Sequence, residues 1–216
     1  LTKEKRPYTL KTDERQEGEK MSATKIKQAA LIQFANDGYD GTALASIASA
    51  VGIKKQSIYT HFANKDQLFL TVLQEVLDRE KKSLATFFQQ TEDLKFDEAL
   101  YQFINRYNIQ YEVNPDTKFL LRMCYLPPSH LYEKVMSSIY KYFDEIEEIM
   151  TKFFLNKAKG LSVPIKEAVI AYIGLIDSVL VELLYSGRER FERRLAACWK
   201  IYWRGISERV EENRNE

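Results

Sequence analysis

Histidine is nearly missing from this sequence, and cysteine, glycine and proline are scarce: two His, two Cys, eight Gly and five Pro in 216 residues. With His61 and His130 alone, and with no GxSxG, HExxH or phosphate-cradling glycine loop, the usual materials of nucleophilic and metal-assisted catalysis are lacking, so a binding protein is expected and not an enzyme. Cys124 and Cys198 lie far apart and form no CxxC, which argues against a structural zinc site and against a disulfide-stapled secreted fold. Asp144, Glu145, Glu147 and Glu148 are near-consecutive helical positions that do not converge, so neither a metal nor another cofactor is expected. The first twenty residues hold no apolar run suited to a secretory signal, and a cytoplasmic location is expected. The longest apolar run, 168–184, is broken by Asp177, Ser178 and Glu182, and reads as a buried or interfacial helix with no membrane partner. A large net charge is also missing. At +1, affinity for nucleic acid has to come from a local basic surface.

What is present is enough apolar material, 45% of residues, to build a real core. Few helix breakers, and no hairpin signal between alternating strands, point to an all-α protein. Residues 1–20, polar and of mixed charge, read as a flexible leader or arm. Residues 21–66 read as three short helices. Ile26, Ala29, Ala30 and Phe34 share a face that stops at Gly38; Thr42 caps a second helix through Leu44, Ile47, Ala48 and Val51; Gly52 turns the chain into a third over 54–62. Residues 67–216 read as a helical bundle, with helices over 67–90, 97–113, 116–126, 130–159, 164–185 and from 188 fading at 211.

A DNA-reading helix needs a scaffold helix, a tight turn and a second helix with a polar opening. Residues 41–62 have this plan, with Ile47, Ala48, Val51, Ile53 and Ile58 as the apolar seam. Ala29-Ala30, Phe34, Gly38-Tyr39, Gly41-Thr42, Ile47-Ala48, Val51-Gly52-Ile53, Ser57-Ile58-Tyr59, His61-Phe62 and Asn64-Lys65 stand in an order and spacing that resembles the TetR/AcrR family of regulators. The resemblance covers roughly 24–70 and implies an N-terminal three-helix helix-turn-helix (HTH) DNA-binding domain with a C-terminal bundle for ligand sensing and dimerisation. It further implies that Thr42 and Ala43 contact DNA backbone, that Lys54, Lys55, Gln56, Ser57 and Thr60 face bases, and that Tyr59, His61 and Lys65 hold phosphates. Tyr59 and His61 also admit a reading as half-buried core residues. Two positions depart from the family pattern: Gln33 replaces an apolar residue, and Lys54-Lys55-Gln56 replaces a small-residue opening.

In the C-terminal part, Phe103, Arg106, Tyr107, Tyr111, Met123, Tyr140, Phe143 and Asp177 are the candidate ligand-binding residues, set against their alternative use as core. A mostly apolar pocket trimmed with hydroxyls suits a small lipophilic or aromatic effector. Tyr172, Ile176, Leu180 and Leu183, then Leu195, Cys198, Tyr202 and Ile206, form stripes on the last two helices and are expected to make the interface of a homodimer, while Arg188, Arg190, Arg193 and Arg194 form a solvated face. The expected function is a ligand-responsive transcriptional regulator, read as a repressor, on a palindromic double-stranded operator. The rivals are a redox-sensing regulator using the Cys124 thiol and an architectural DNA binder without effector.

Overall fold

The computed structural model describes residues 10–207, with side chains described from residue 18. Every named element among them is a helix, and the only bridge pairing recorded is the isolated Leu161–Ser207 pair. The chain divides into two compact units, Leu1–Leu73 and Gln74–Glu216.

The first unit holds α1 (Leu10–Gly41), α2 (Leu44–Ala50), α3 (Lys55–Ile58) and the start of α4 (Lys65–Gln90). Ile26, Ala30 and Phe34 recur every fourth residue on α1 and are fully buried. The helix reaches back into the segment read as an arm. Glu, Lys, Arg and Gln dominate 11–20 and no proline intervenes, so a helix nucleated by the buried face propagates outward at little cost per residue. Residues 1–9 of the expected arm lie outside the described residues. At its other end α1 is interrupted at Gly38, whose φ of 73° is the left-handed conformation that glycine adopts without a Cβ penalty.

The second unit continues α4 and adds α5 (Phe96–Val113), α6 (Pro115–Tyr125), a 3-10 turn (Ser129–Leu131), α7 (Tyr132–Lys157), α8 (Ile165–Tyr185) and α9 (Arg188–Ile206). Asn114 caps α6 by accepting from the Asp116 amide at 2.9 Å, with Pro115 in the first turn where no amide hydrogen is needed. The last helix is shorter than expected. Ser207 turns extended after Ile206, and Ser162 ties the end down, its amide donating to the Ile206 carbonyl at 2.8 Å and its hydroxyl to that of Gly205 at 2.7 Å. The remainder of the expected helix, including Val210 and Glu211, lies outside the described residues.

By length and mean hydropathy (1.9), α8 could cross a membrane, yet its inner face is filled by protein: Ala168, Val169, Tyr172 and Val179 are fully buried. The same helix carries Glu182 into the interior. Arg194 and Arg190 pair with that carboxylate, and Arg194 also donates to the Ser178 carbonyl. Two members of the expected solvated arginine face are therefore partners of a buried charge that would otherwise be costly.

Candidate nucleic-acid interface and effector cavity

In the first unit Phe34, Ile47, Ile58, Leu68 and Phe69 are fully buried, and Phe69 meets both Phe34 and Tyr39 edge-on at about 5 Å. Ile47 and Ile58 lock α2 to α3. The turn between them depends on Gly52, with φ 72°; the following Ile53 amide donates to the Ala48 carbonyl at 3.0 Å. An added Cβ at Gly52 would meet nothing within 4 Å, so the requirement for glycine is purely conformational.

On this seam Lys54, Lys55 and Gln56 are exposed, Ser57 and His61 are half-buried, and Thr60 is exposed with its hydroxyl donating to the Ser57 carbonyl at 2.8 Å. Tyr59 is 49% exposed, which removes the core reading for that residue. Thr42 behaves differently from its expected role. It is buried, and its hydroxyl donates to the Gly38 carbonyl at 2.7 Å, so the side chain fastens the end of α1 and is withheld from any surface. The N-cap of α2 is Ala43, which is exposed and offers no side-chain cap.

Helix α4 is capped by Asn64. The Asn64 side chain accepts from the Gln67 amide at 2.8 Å, and Gln67 reaches back to the Ala63 amide at 2.5 Å. Asp66 instead accepts the Tyr39 hydroxyl hydrogen, while the Lys65 ammonium sits 4.0 Å from the Tyr39 ring centroid. Burial lowers the Lys65 pKa, against the opposing pull of Asp40 and Asp66. The departure at Gln33 also finds a partner, since Ser46 of α2 donates to its side-chain oxygen at 2.6 Å.

In the second unit Phe103, Tyr107, Phe143 and Asp177 line one cavity of about 60 Å³, together with Cys124, Tyr125 and Tyr142, which the expected ligand set did not include. The other four expected residues do not line it. Met123 is buried in the core, Tyr111 packs partly buried against it, and Tyr140 is 57% exposed because it falls on the outer side of α7. Arg106 lies beside the cavity wall: its guanidinium is 4.4 Å from the Phe103 ring centroid and 4.0 Å from the buried Glu80 carboxylate, and it reaches Ser83 only at 3.4 Å. Burial raises the Glu80 pKa and pushes the Tyr107 phenol up to about 12. Burial also pushes the Cys124 thiol up to about 12, which leaves little thiolate at neutral pH and opposes the redox-switch reading.

The expected interface stripe faces inward. Tyr172, Leu180, Leu183, Leu195, Tyr202 and Ile206 are buried within the unit, and the Tyr172 and Tyr202 hydroxyls donate to the Leu100 and Ala168 carbonyls at 2.6 and 2.9 Å. Ile176 and Cys198 are half-buried. Helix α8 is apolar on more than one side, so its sequence pattern left two stripes to choose from. The outward stripe is Ile170, Ala171, Gly174 and Tyr185 on α8, with Ala197 and Ile201 on α9. Ile170 and Ile201 are 50% and 75% exposed.

A buried apolar seam carrying an exposed basic and amide-bearing helix defines a helix-turn-helix domain. Residues 26–72 match the family model for bacterial regulatory proteins of the tetR family. The chain is 30% identical over 128 residues to the biofilm operon icaADBC HTH-type negative transcriptional regulator IcaR of Staphylococcus aureus (strain Newman), covering 59% of this chain and 64% of that protein. It is 44% identical over 45 residues to IcaR of Staphylococcus epidermidis, 21% of this chain and 24% of that one. The chain thus spans less than two thirds of the length of these curated relatives. Among solved structures, a TetR-family regulator from Agrobacterium tumefaciens superposes with a TM-score of 0.67 at 16% identity, over 85% of this chain and 98% of that one. FadR from Bacillus subtilis, solved in complex with stearoyl-CoA, gives 0.61 at 17% over the same shares. These structural likenesses establish the fold.

Proposed function

We propose that this protein is a homodimeric transcriptional regulator, a repressor, that binds a pseudo-palindromic operator through α3 and is released by a small lipophilic or aromatic effector held in the C-terminal unit. The observation that carries this reading is the exposure of Lys54, Lys55 and Gln56 at the opening of a short helix whose inner side is locked by Ile47 and Ile58. Lysines there reach phosphates or guanine edges, and Gln56 can pair with an adenine edge through both amide atoms. Ala43 and Lys65 are proposed to hold the DNA backbone, with Ser57, Tyr59, Thr60 and His61 completing the surface. The negative regulation named for the staphylococcal relatives favours repression. A cytoplasmic location follows from binding DNA.

One such domain per chain grips too few bases for useful specificity, so a second copy is required. The outward stripe of α8 and α9 is the proposed contact, with Ala171 and Gly174 allowing close helix approach. For the effector, the cavity around Phe103, Tyr107, Phe143 and Asp177 is the proposed seat, widened on binding, and the stearoyl-CoA held by the FadR neighbour favours a lipophilic body. Helix α4 contains the division between the two units and is the proposed route of coupling, whose size is bounded by the effector's preference for the released state. The test is fluorescence anisotropy of labelled duplexes carrying the chain's own upstream region. Saturable binding at one inverted repeat, lost in Lys54→Ala/Gln56→Ala, is the expected result; equal affinity for every duplex would overturn the reading.

A further inference from the structure

A second concavity of the C-terminal unit, about 850 Å³, lies apart from the cavity around Tyr107 and shares none of its lining residues. It is bordered by the end of α4, the turn before α5, the first residue of α5 and the last turns of α7. Its apolar wall is aromatic: Phe88 and Phe153 lie with ring centroids 4.1 Å apart, and Phe96 meets Phe153 at 5.8 Å. Phe96 and Phe153 are only partly buried.

The polar lining is strongly one-sided, with four lysines (Lys95, Lys152, Lys157 and Lys159) and a single carboxylate, Glu92. Lys157 is committed to structure. Its ammonium donates to the Thr91 carbonyl at 3.0 Å and to that of Glu92, fastening the turn to α7. Lys95, Lys152 and Lys159 are exposed and belong to none of the ion pairs among the described residues. The rings satisfy their packing with one another, and within the cleft the lysines outnumber the one carboxylate; Lys152 alone also borders Asp144, Glu147 and Glu148 on its far side.

We propose that this cleft binds an amphipathic organic anion: a flat aromatic or long alkyl body laid against Phe88, Phe96 and Phe153, with a carboxylate, sulfonate or phosphate head held by Lys95, Lys152 and Lys159. The volume falls within the range of small-molecule sites, and its concavity suits a single molecule and not a flat lipid surface. The site is defined without reference to DNA, so it stands or falls independently of the regulator reading.

The test uses the full chain without DNA and two fluorescent probes sharing one ring system, the anionic 1-anilinonaphthalene-8-sulfonate and the neutral N-phenyl-1-naphthylamine. The sulfonate is expected to bind once per chain, to weaken with added salt, and to be displaced by dodecanoate. The exposed triple substitution Lys95→Ala/Lys152→Ala/Lys159→Ala should weaken it by about tenfold or more while leaving the neutral probe unchanged. Asn156→Trp, at another exposed lining position, should exclude both probes from the cleft by filling it. Sulfonate binding unaltered in both variants would overturn the assignment. Displacement by inorganic phosphate as readily as by dodecanoate would overturn the amphipathic class.

Discussion

Tyr59 in the N-terminal unit is 49% exposed on a polar surface, whereas Tyr172 and Tyr202 in the C-terminal unit are buried, with hydroxyls bonded to backbone carbonyls. The same residue type serves a surface at Tyr59 and a core at Tyr172 and Tyr202. In the first unit α2 and α3 are short, so burying Ile47 and Ile58 dictates what is left outside. In the second, α8 is apolar nearly all round and burial alone does not choose the outward stripe. Function in the first unit is therefore tied to local sequence, while in the second it depends on which packing wins.

Tyr172→Ala gives the largest expected effect and separates the two uses of α8. Truncating a fully buried aromatic side chain costs about 3 to 5 kcal/mol, and the lost hydrogen bond leaves the Leu100 carbonyl without that donor. Chemical denaturation should show it. Ile201→Asp, at a 75% exposed site, should leave the fold of each chain intact and yield monomers in sedimentation velocity; a stable dimer in that variant would break the outward-stripe assignment.

Next in size, Gln56→Ala should cost about 1 to 3 kcal/mol against the preferred duplex and relax preference at one base position, while Lys65→Ala should weaken all duplexes alike and reduce the salt slope by about one. Anisotropy over a salt series distinguishes them. Uniform weakening by Gln56→Ala would make it another backbone contact. Gly52→Ala should lower stability by about 1 to 2 kcal/mol through its left-handed φ alone, since no neighbour would be struck; thermal melting reads this directly.

The smallest effect expected is none. Cys124, its thiol pushed up by burial, should react far more slowly with iodoacetamide at neutral pH than a free thiol, and Cys124→Ser should leave release by effector unchanged. Mass spectrometry after timed alkylation checks the first point. Rapid modification accompanied by loss of DNA binding would restore the thiol switch.

The helices were largely legible because glycines and prolines mark their ends: Gly38, Gly52, Gly160 and Gly187 all have positive φ. The seam of the helix-turn-helix was legible because the apolar Ile47 and Ile58 stand on either side of the Gly52 turn beside a polar opening. Long-range pairings were not. Nothing local signals that Glu182 draws in Arg190 and Arg194, or that Lys65 rests on Tyr39. The lining of the cavity was legible only in part for the same reason. Phe103, Tyr107, Phe143 and Asp177 come from three helices whose relative rotation is fixed by packing, and a rotation about α7 separates Phe143 from the exposed Tyr140. The lysine cleft was not legible because Lys95 stands 57 residues before Lys152, and only packing brings the turn before α5 to the end of α7.

The central claim, that paired copies of α3 read DNA bases, is tested most directly by selecting duplexes from a randomised library with the wild-type chain and with Gln56→Ala. Two inverted half-sites, enriched by the wild type and degenerate at symmetry-related positions in the variant, are the predicted outcome. Recovery of no common sequence, or of the same sequence with both proteins, would contradict it.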